Sequence, residues 1–238
     1  SCLTVILDRV HRSTGQPVAL IAVADGMGGH AAGDGASGLA IRVLAQRMAA
    51  HWLVPYLTED SYGVASAAQK WLIEAVQAAN QAVYAQRNSA QHDMGTTLVA
   101  ALVLGDTAYI SNTGDSRAYL LNSEGIQRLT TDHSLVERLV TTGQITSAEA
   151  RLHPQRNVIY RVIGDQNEVE ADHLTQELRP GDSLLLCSDG LTSKLEDDDI
   201  WRVVQAHRSP QEACEELVRI ANERGGEDNI TVIIARLQ

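Results

Sequence analysis

Two apolar runs open the chain, "CLTVIL" at 2–7 and "VALIAVA" at 18–24, and both predict strands joined by a polar loop holding Gly15 and Pro17. The period then lengthens. Leu39, Val43, Leu44 and Met48 recur at helical spacing, as do Leu72, Ala75, Val76, Ala79 and Val83. Each set predicts an amphipathic helix with one face laid on a sheet. The intervening "LVPYLTEDSYG" reads as a loop. From Thr96 the period shortens again. "TTLVAALVLGDTAYISNTGDSRAYLLNSEGIQRLT" is a meander of apolar runs, broken at Gly105-Asp106, Gly114-Asp115 and Glu124-Gly125.

Beyond the meander, "HSLVERLVTTGQITSAEARLHPQRNVIYRVIG" turns helical and broken. Gly143 is a stop, and Thr146 with Glu149 fits a capping box. "DSLLLCSDGL" predicts a short buried strand, 197–206 and 211–223 predict helices, and "NITVIIARL" predicts a final strand. The sequence carries no internal repeat, low-complexity tract or interdomain linker. Strands and helices do not alternate one for one, so the order predicts an α+β fold in which helices pack outside antiparallel sheets.

Composition narrows the functional classes. The chain has 238 residues, 44% of them hydrophobic, enough for one large core or two small ones. Its formal charge of -11 repels nucleic-acid backbones and anionic lipid, and no basic run is interleaved with aromatics. Cys2, Cys187 and Cys214 lie far apart, with no C-x-x-C, which predicts reduced core thiols and a cytoplasmic setting. No apolar run is long enough to span a membrane. The chain opens at Ser1, without Met, directly into a strand-like run, which predicts a domain that is N-terminally incomplete.

Four aspartates recur at the ends of apolar runs: Asp25 after "ALIAVA", Asp115 between "AYISNT" and "RAYLL", Asp189 after "SLLLCS", and Asp228 before "NITVIIA". Each has glycine close by: Gly26, Gly114, Gly190, and Gly225 with Gly226. Any one of these, taken singly, is more often just an ordinary turn. Brought together at one sheet edge, they would repel one another unless protonated or bound to cations. Hard oxygen ligands suit Mg²⁺ or Mn²⁺. The glycines are expected to let a carbonyl or a substrate approach closely.

A rival reading attaches to the first of these stretches. Gly26-x-Gly28-x-x-Ala31 follows a strand and precedes a helix, which fits a dinucleotide fingerprint and would make the chain an oxidoreductase. Asp25 would repel a pyrophosphate there. No strand ending in an acid follows about 20 residues on, where the ribose contact belongs.

Taken in order, "VADGMGGH" (23–30), "MGTTLVA" (94–100), "NTGDSRAYL" (112–120), "LTTDHSL" (129–135), "LLLCSDGL" (184–191) and "GGEDNITVII" (225–234) resemble the metal-dependent protein serine/threonine phosphatases of type 2C, bacterial branch. The resemblance covers nearly the whole chain. It implies an α+β fold, a four-layer α-β-β-α sandwich of two antiparallel sheets flanked by helix pairs. It also implies a single phosphatase domain over 1–238, with a flap inserted at about 135–164.

The roles it implies are specific. Asp25 bridges two metal ions. The Gly26 carbonyl helps hold one of them, Asp189 and Asp228 complete the other site, and Asp115 with Asp189 holds a third ion. Thr96, Thr97, Ser116 and Arg117 support these ligands. The cofactors are two or three Mn²⁺ or Mg²⁺ ions. They activate a water for in-line attack on phosphoserine or phosphothreonine in proteins, without a phosphoenzyme. An opposing serine/threonine kinase is the implied partner.

Two departures from the family pattern stand out. An upstream arginine and an N-x-[DE] segment, which family members place before a strand like "CLTVIL", have no counterpart in the sequence. Met27 stands where eukaryotic members carry a histidine, as it does in the bacterial branch, which leaves His30 as the nearest general-acid candidate. His133 is expected to order a turn. A pseudo-phosphatase that binds phosphoproteins without turnover is the second reading.

Overall fold

The structure, a computed structural model, describes residues 1–11, 14–28, 30–53, 62–90 and 93–237. It opens with a long antiparallel hairpin, β1 (Cys2–His11) and β2 (Thr14–Val23). The ladder runs through Gly15 and Pro17, which the sequence placed in a loop, with Asp8 opposite Pro17. β2 meets its other neighbour, β5 (Leu98–Leu104), only from Val18 onward. Pro17 therefore sits where one side of β2 makes no ladder, a position that tolerates a residue without N–H.

β2 is followed by the two-residue β3 (Gly26–Met27), then by helices α1 (His30–Met48) and α2 (Tyr62–Ala90). A single π turn, Ala49–Leu53, extends α1. The predicted loop between the helices lies largely outside the described residues. The meander follows: β4 (Gly95–Thr96), β5, β6 (Thr107–Thr113), β7 (Arg117–Asn122) and β8 (Gly125–Arg128). Then come the short helices α3 (Leu135–Thr141) and α4 (Ser147–Leu152), β9 (Asp172–Glu177) and β10 (Ser183–Cys187). The chain continues through α5 (Asp189–Thr192), α6 (Asp197–Ala206), α7 (Pro210–Glu223) and β11 (Val232–Arg236).

Two sheets result, ordered β1-β2-β5-β6-β9 and β11-β10-β7-β8, with β3 and β4 as a separate small pair. Side-chain alternation then builds the layers. In β2, Ile21 and Val23 point into the core between the sheets, where they join Val99, Ala101, Ile110, Leu120, Leu184 and Leu186. Leu20 and Ala22 point the other way, onto Leu44, Met48, Leu72 and Val76 of α1 and α2. In β10, Leu185 and Cys187 face Leu191, Ile200, Val204 and Leu217 of α5, α6 and α7. Both faces of each sheet are thus covered, which is why the central strands read as unbroken apolar runs. The result is the expected α+β sandwich with helices on its two outer faces. Among the described residues no helix is long and apolar enough to cross a membrane.

β9 has no apolar run to announce it. Its "DHLTQE" pairs along one side with β6 and carries polar side chains on an edge, where polarity discourages further pairing.

Candidate active site

Asp25 leaves the end of β2 with its backbone caught between two threonines. Its N–H donates to Thr97 Oγ1 at 3.0 Å. Its carbonyl accepts from Thr97 N–H and from Thr96 Oγ1, each at 2.8 Å. Thr97 Oγ1 and Ser116 Oγ share a hydrogen bond of 2.6 Å, which links this corner to the start of β7 in the other sheet. The carboxylate is therefore aimed by backbone bonds, and Thr96, Thr97 and Ser116 have the supporting contacts the sequence predicted.

The glycines around Asp25 serve a different end from the one expected. A Cβ on Gly26 would overlap the Gly33 carbonyl, and one on Gly33 would stand 2.8 Å from the Gly26 backbone. Gly28, at φ +105°, leaves no room for a side chain against the Asp93 carbonyl. The space is taken by the protein's own backbone, where α1 packs onto the β3–β4 pair, rather than left open for a ligand.

Asp115 is buried in the turn between β6 and β7. Gly114 precedes it at φ +105°, pressed against Thr97. The Gly114 N–H donates to His133 Nδ1 at 3.1 Å, and its carbonyl accepts the His133 N–H at 2.9 Å. His133 orders this turn, as the sequence predicted. Arg117, expected to support the ligands, is bonded instead to a different acid. It holds Asp132 in a forked pair, Nε to Oδ1 at 2.9 Å and Nη2 to Oδ2 at 2.6 Å, while Nη1 donates to the Tyr119 hydroxyl at 3.0 Å.

Asp189 is the first residue of α5, just past β10. Its Oδ1 is buried without a hydrogen-bond partner among the described residues. The next residue, Gly190, lies so close to the Asn229 carbonyl that a Cβ would overlap it. Ser188 secures the same loop: its Oγ donates to the Asn229 carbonyl at 3.1 Å and accepts the Thr231 N–H at 3.0 Å. That contact carries Asp228 toward Asp189. Asp228 is not at a strand end, however. β11 begins at Val232, and Asp228 is exposed on the loop before it, with Oδ1 accepting the Asn229 N–H at 2.7 Å. Neither Ser188 nor Asn229 was singled out from the sequence, although both flank predicted ligands. The His30 side chain lies outside the described residues.

The electrostatics join what the chain order separates. Burial, the Asp189 charge and a hydrogen bond to Asp189 push the Asp25 carboxyl up to about 7, with a further push from Asp228. Burial, then Asp189 and Asp132, push Asp115 up to about 8. Burial also raises Asp189. These are carboxylates facing carboxylates. Among the described residues no three Asp, Glu, His or Cys side chains converge into a formed ligand cage. Asp25 and Asp189 meet directly, while Asp115 and Asp228 stand within reach of their charge.

A sandwich of this kind with acidic strand ends has known counterparts. Residues 6–230 match the family model described as protein phosphatase 2C. The chain belongs to the protein phosphatase 2C family. It is 39% identical over 221 residues to the serine/threonine phosphatase stp of Listeria monocytogenes, covering 92% of this chain and 84% of that relative. The crystal structure of the Mycobacterium tuberculosis serine/threonine phosphatase PstP/Ppp superposes with a TM-score of 0.82 at 36% identity, covering 100% of this chain and 98% of that one. A structure of the PstP catalytic domain in complex with two manganese ions gives a TM-score of 0.79 at 34% identity, with the same coverage.

Membership in the phosphatase 2C family leaves no place for the dinucleotide reading. Every strand pairing among the described residues is antiparallel, so no parallel β-α-β crossover frames the glycines after Asp25. The segment expected to form the flap is anchored at both ends. Ser134 caps α3 and bridges to Ile159, while Ile163 exchanges backbone bonds with Thr96 at 2.8 and 3.1 Å, beside Asp25. The predicted capping box at Thr146 and Glu149 starts α4. Arg151 of α4 reaches the Thr192 carbonyl of α5 at 3.3 Å. Leu152, Val158 and Tyr160 stand exposed along this segment.

Proposed function

We propose that this chain hydrolyses phosphoserine and phosphothreonine esters in proteins, with Mn²⁺ or Mg²⁺ ions held by Asp25, Asp115, Asp189, Asp228 and the Gly26 carbonyl. One observation carries the reading: the buried Asp115 and the half-buried Asp25 and Asp189 lie within reach of one another's charge, and among the described residues no protein cation is bonded to them and Asp189 Oδ1 has no partner. An all-oxygen donor set of this charge suits hard divalent cations. The bound ions would lower the pKa of a water and neutralise charge on phosphoryl oxygens. The number of ions is two or three; the related PstP structure holds two manganese ions.

The chain's own residues divide the remaining work. Thr96, Thr97 and Ser116 orient Asp25 through its backbone. Asp25 and Asp189, both raised by burial, would hold a cation in place of protons. His30 is the candidate general acid. The segment 135–164 is the flap that selects substrate, offering Leu152, Val158 and Tyr160 as an apolar face. We place the protein in the cytosol, where an opposing serine/threonine kinase supplies its substrates, and treat 1–238 as one catalytic unit. Hydrolysis of a phosphothreonine peptide with Mn²⁺, and again with EDTA, tests the proposal. Turnover that depends on Mn²⁺ is expected. A folded protein that binds the peptide and never turns it over would point instead to the pseudo-phosphatase.

A further inference from the structure

His133 is 2% exposed and touches neither of the two most closely paired aspartates, yet both of its ring nitrogens are engaged. Nδ1 accepts the Gly114 N–H at 3.1 Å. A neutral imidazole that accepts at one nitrogen carries its hydrogen on the other. Nε2 is therefore the donor, and it faces Asp172 Oδ2 at 3.2 Å. Arg161 Nη1 stands 3.3 Å from the same Nε2, but two donors do not bond, so Asp172 is the shared acceptor: its Oδ1 takes Arg161 Nη1 at 3.3 Å. The main chain repeats the link. Tyr160 N–H donates to the His133 carbonyl at 2.9 Å, Leu135 N–H donates to the Val158 carbonyl at 2.8 Å, and the Tyr160 ring lies 5.9 Å from the imidazole. The His133 side chain thus joins the turn that carries Asp115 to Asp172 at the start of β9, and Asp172 in turn holds Arg161 of the segment by which 135–164 returns to the sheet.

We propose that His133 is a positioning residue that sets the Asp115 turn through Nδ1 and couples that turn, through Nε2, Asp172 and Arg161, to the return of the flap segment. The inference rests on the reading of Asp115 as a cation ligand. Its consequence is a two-way linkage. Fixing the flap's return steadies the Asp115 turn, and a cation drawn to Asp115 steadies the flap.

Two substitutions divide the ring. His133→Asn keeps an acceptor at the Nδ1 position and loses the donor toward Asp172. His133→Gln keeps a donor at the Nε2 position and loses the acceptor for Gly114. Calorimetric titration with Mn²⁺ reads the first link. His133→Gln is expected to weaken Mn²⁺ binding by roughly ten- to hundred-fold, the cost typical of losing a partner that orients a metal ligand, while His133→Asn stays close to the unmodified protein. Amide exchange in the metal-free protein reads the second. His133→Asn and Asp172→Asn speed exchange at Tyr160 and raise the phosphopeptide KM with kcat retained, while His133→Gln speeds exchange at Gly114. Equal Mn²⁺ affinities for the two His133 variants, or losses confined to melting temperature, overturn the proposal. Should His133→Gln fold poorly, Asp172→Asn alters a half-exposed carboxylate and decides the flap link by itself. Asp115→Asn separates the two layers. Unchanged Mn²⁺ binding in that variant removes Asp115 from the ligand set, and the exchange rates at Gly114 and Tyr160 still judge the coupling.

Discussion

Asp115 and Asp132 are both buried carboxylates, and the chain treats them in opposite ways. Asp132 is met by the Arg117 fork at 2.6–3.1 Å, with Arg128 at 3.9 Å. Burial alone would lower the Arg117 pKa, but the Asp132 carboxylate overrides it and holds the guanidinium well above its ordinary value. Asp115, two positions before Arg117 in the chain, has no cation bonded to it among the described residues and is pushed up to about 8. Burying a charge costs free energy in either case. At Asp132 the protein supplies the counter-charge itself. At Asp115, Asp25 and Asp189 the counter-charge has to come from a proton or from a cation. Burial therefore does not distinguish a functional acid from a structural one; the absence of a built-in partner does.

The largest effect should follow from removing a member of the unpaired set. Asp189→Asn is expected to lower kcat by at least about 10²–10³-fold, the loss that accompanies one preorganised electrostatic contact. The melting temperature of the metal-free protein should hold or rise, because a repelled buried charge has gone. Near-normal activity would remove Asp189 from the ligand set. A large fall in stability would make it a structural acid like Asp132.

The opposite result is expected at the paired acid. Arg117→Met leaves Asp132 buried without its fork and should cost about 3–5 kcal/mol of stability, read by urea denaturation. Adding Asp132→Asn should recover most of that loss. If Arg117→Met instead left stability intact and abolished turnover, Arg117 would belong to the active site and the contrast with Asp115 would collapse.

How much of this was legible depended on whether side chains or backbone carried the information. β10 could be read because Leu184 and Leu186 bury on one face while Leu185 and Cys187 bury on the other. β9 could not, because its place is set by backbone bonds to β6 and Leu174 is the one apolar side chain among polar ones. Gly15 and Pro17 looked like a loop because turn chemistry and a strand beyond the reach of β5 share a composition. The four aspartates were visible as strand-end acids, but their charge partners were not, since the fork from Arg117 crosses from one strand to the loop after the next. Glycine was the most misleading signal. Gly26, Gly28 and Gly190 look like space cleared for a ligand, and each is filled by a carbonyl of the same chain.

Gly190 offers an intermediate test. Its contact with the Asn229 carbonyl, with the Ser188 bonds, holds the loop that brings the exposed Asp228 toward the half-buried Asp189. Gly190→Ala improves helix propensity by up to about 1 kcal/mol, so a stability loss from the new methyl is partly offset. Displacing the loop should raise the Mn²⁺ concentration needed for half-maximal activity by roughly tenfold or more, as for the loss of a group that orients a ligand. An unchanged Mn²⁺ requirement would show that Asp228 finds its place without this contact.

The smallest effect, a shift of a few degrees, addresses the comparison most directly. Asp25 and Asp115 rise from an ordinary value of 3.8 to about 7 and about 8 in the folded protein. Between those limits the folded state binds more protons than the unfolded one, so stability contributed by the protonated carboxyls is full below about pH 4 and is lost as pH rises toward 8. A divalent cation competes for the same oxygens and replaces the proton. The gain in melting temperature on adding Mn²⁺ to EDTA-treated protein should therefore widen from pH 5 to pH 8, at roughly 2–4 °C per kcal/mol for a chain of this size. A paired acid such as Asp132 gives no such widening, because its counter-charge does not titrate in that range. A gap that stays constant across the window would mean that the cation binds somewhere other than the acids whose protons it is expected to displace.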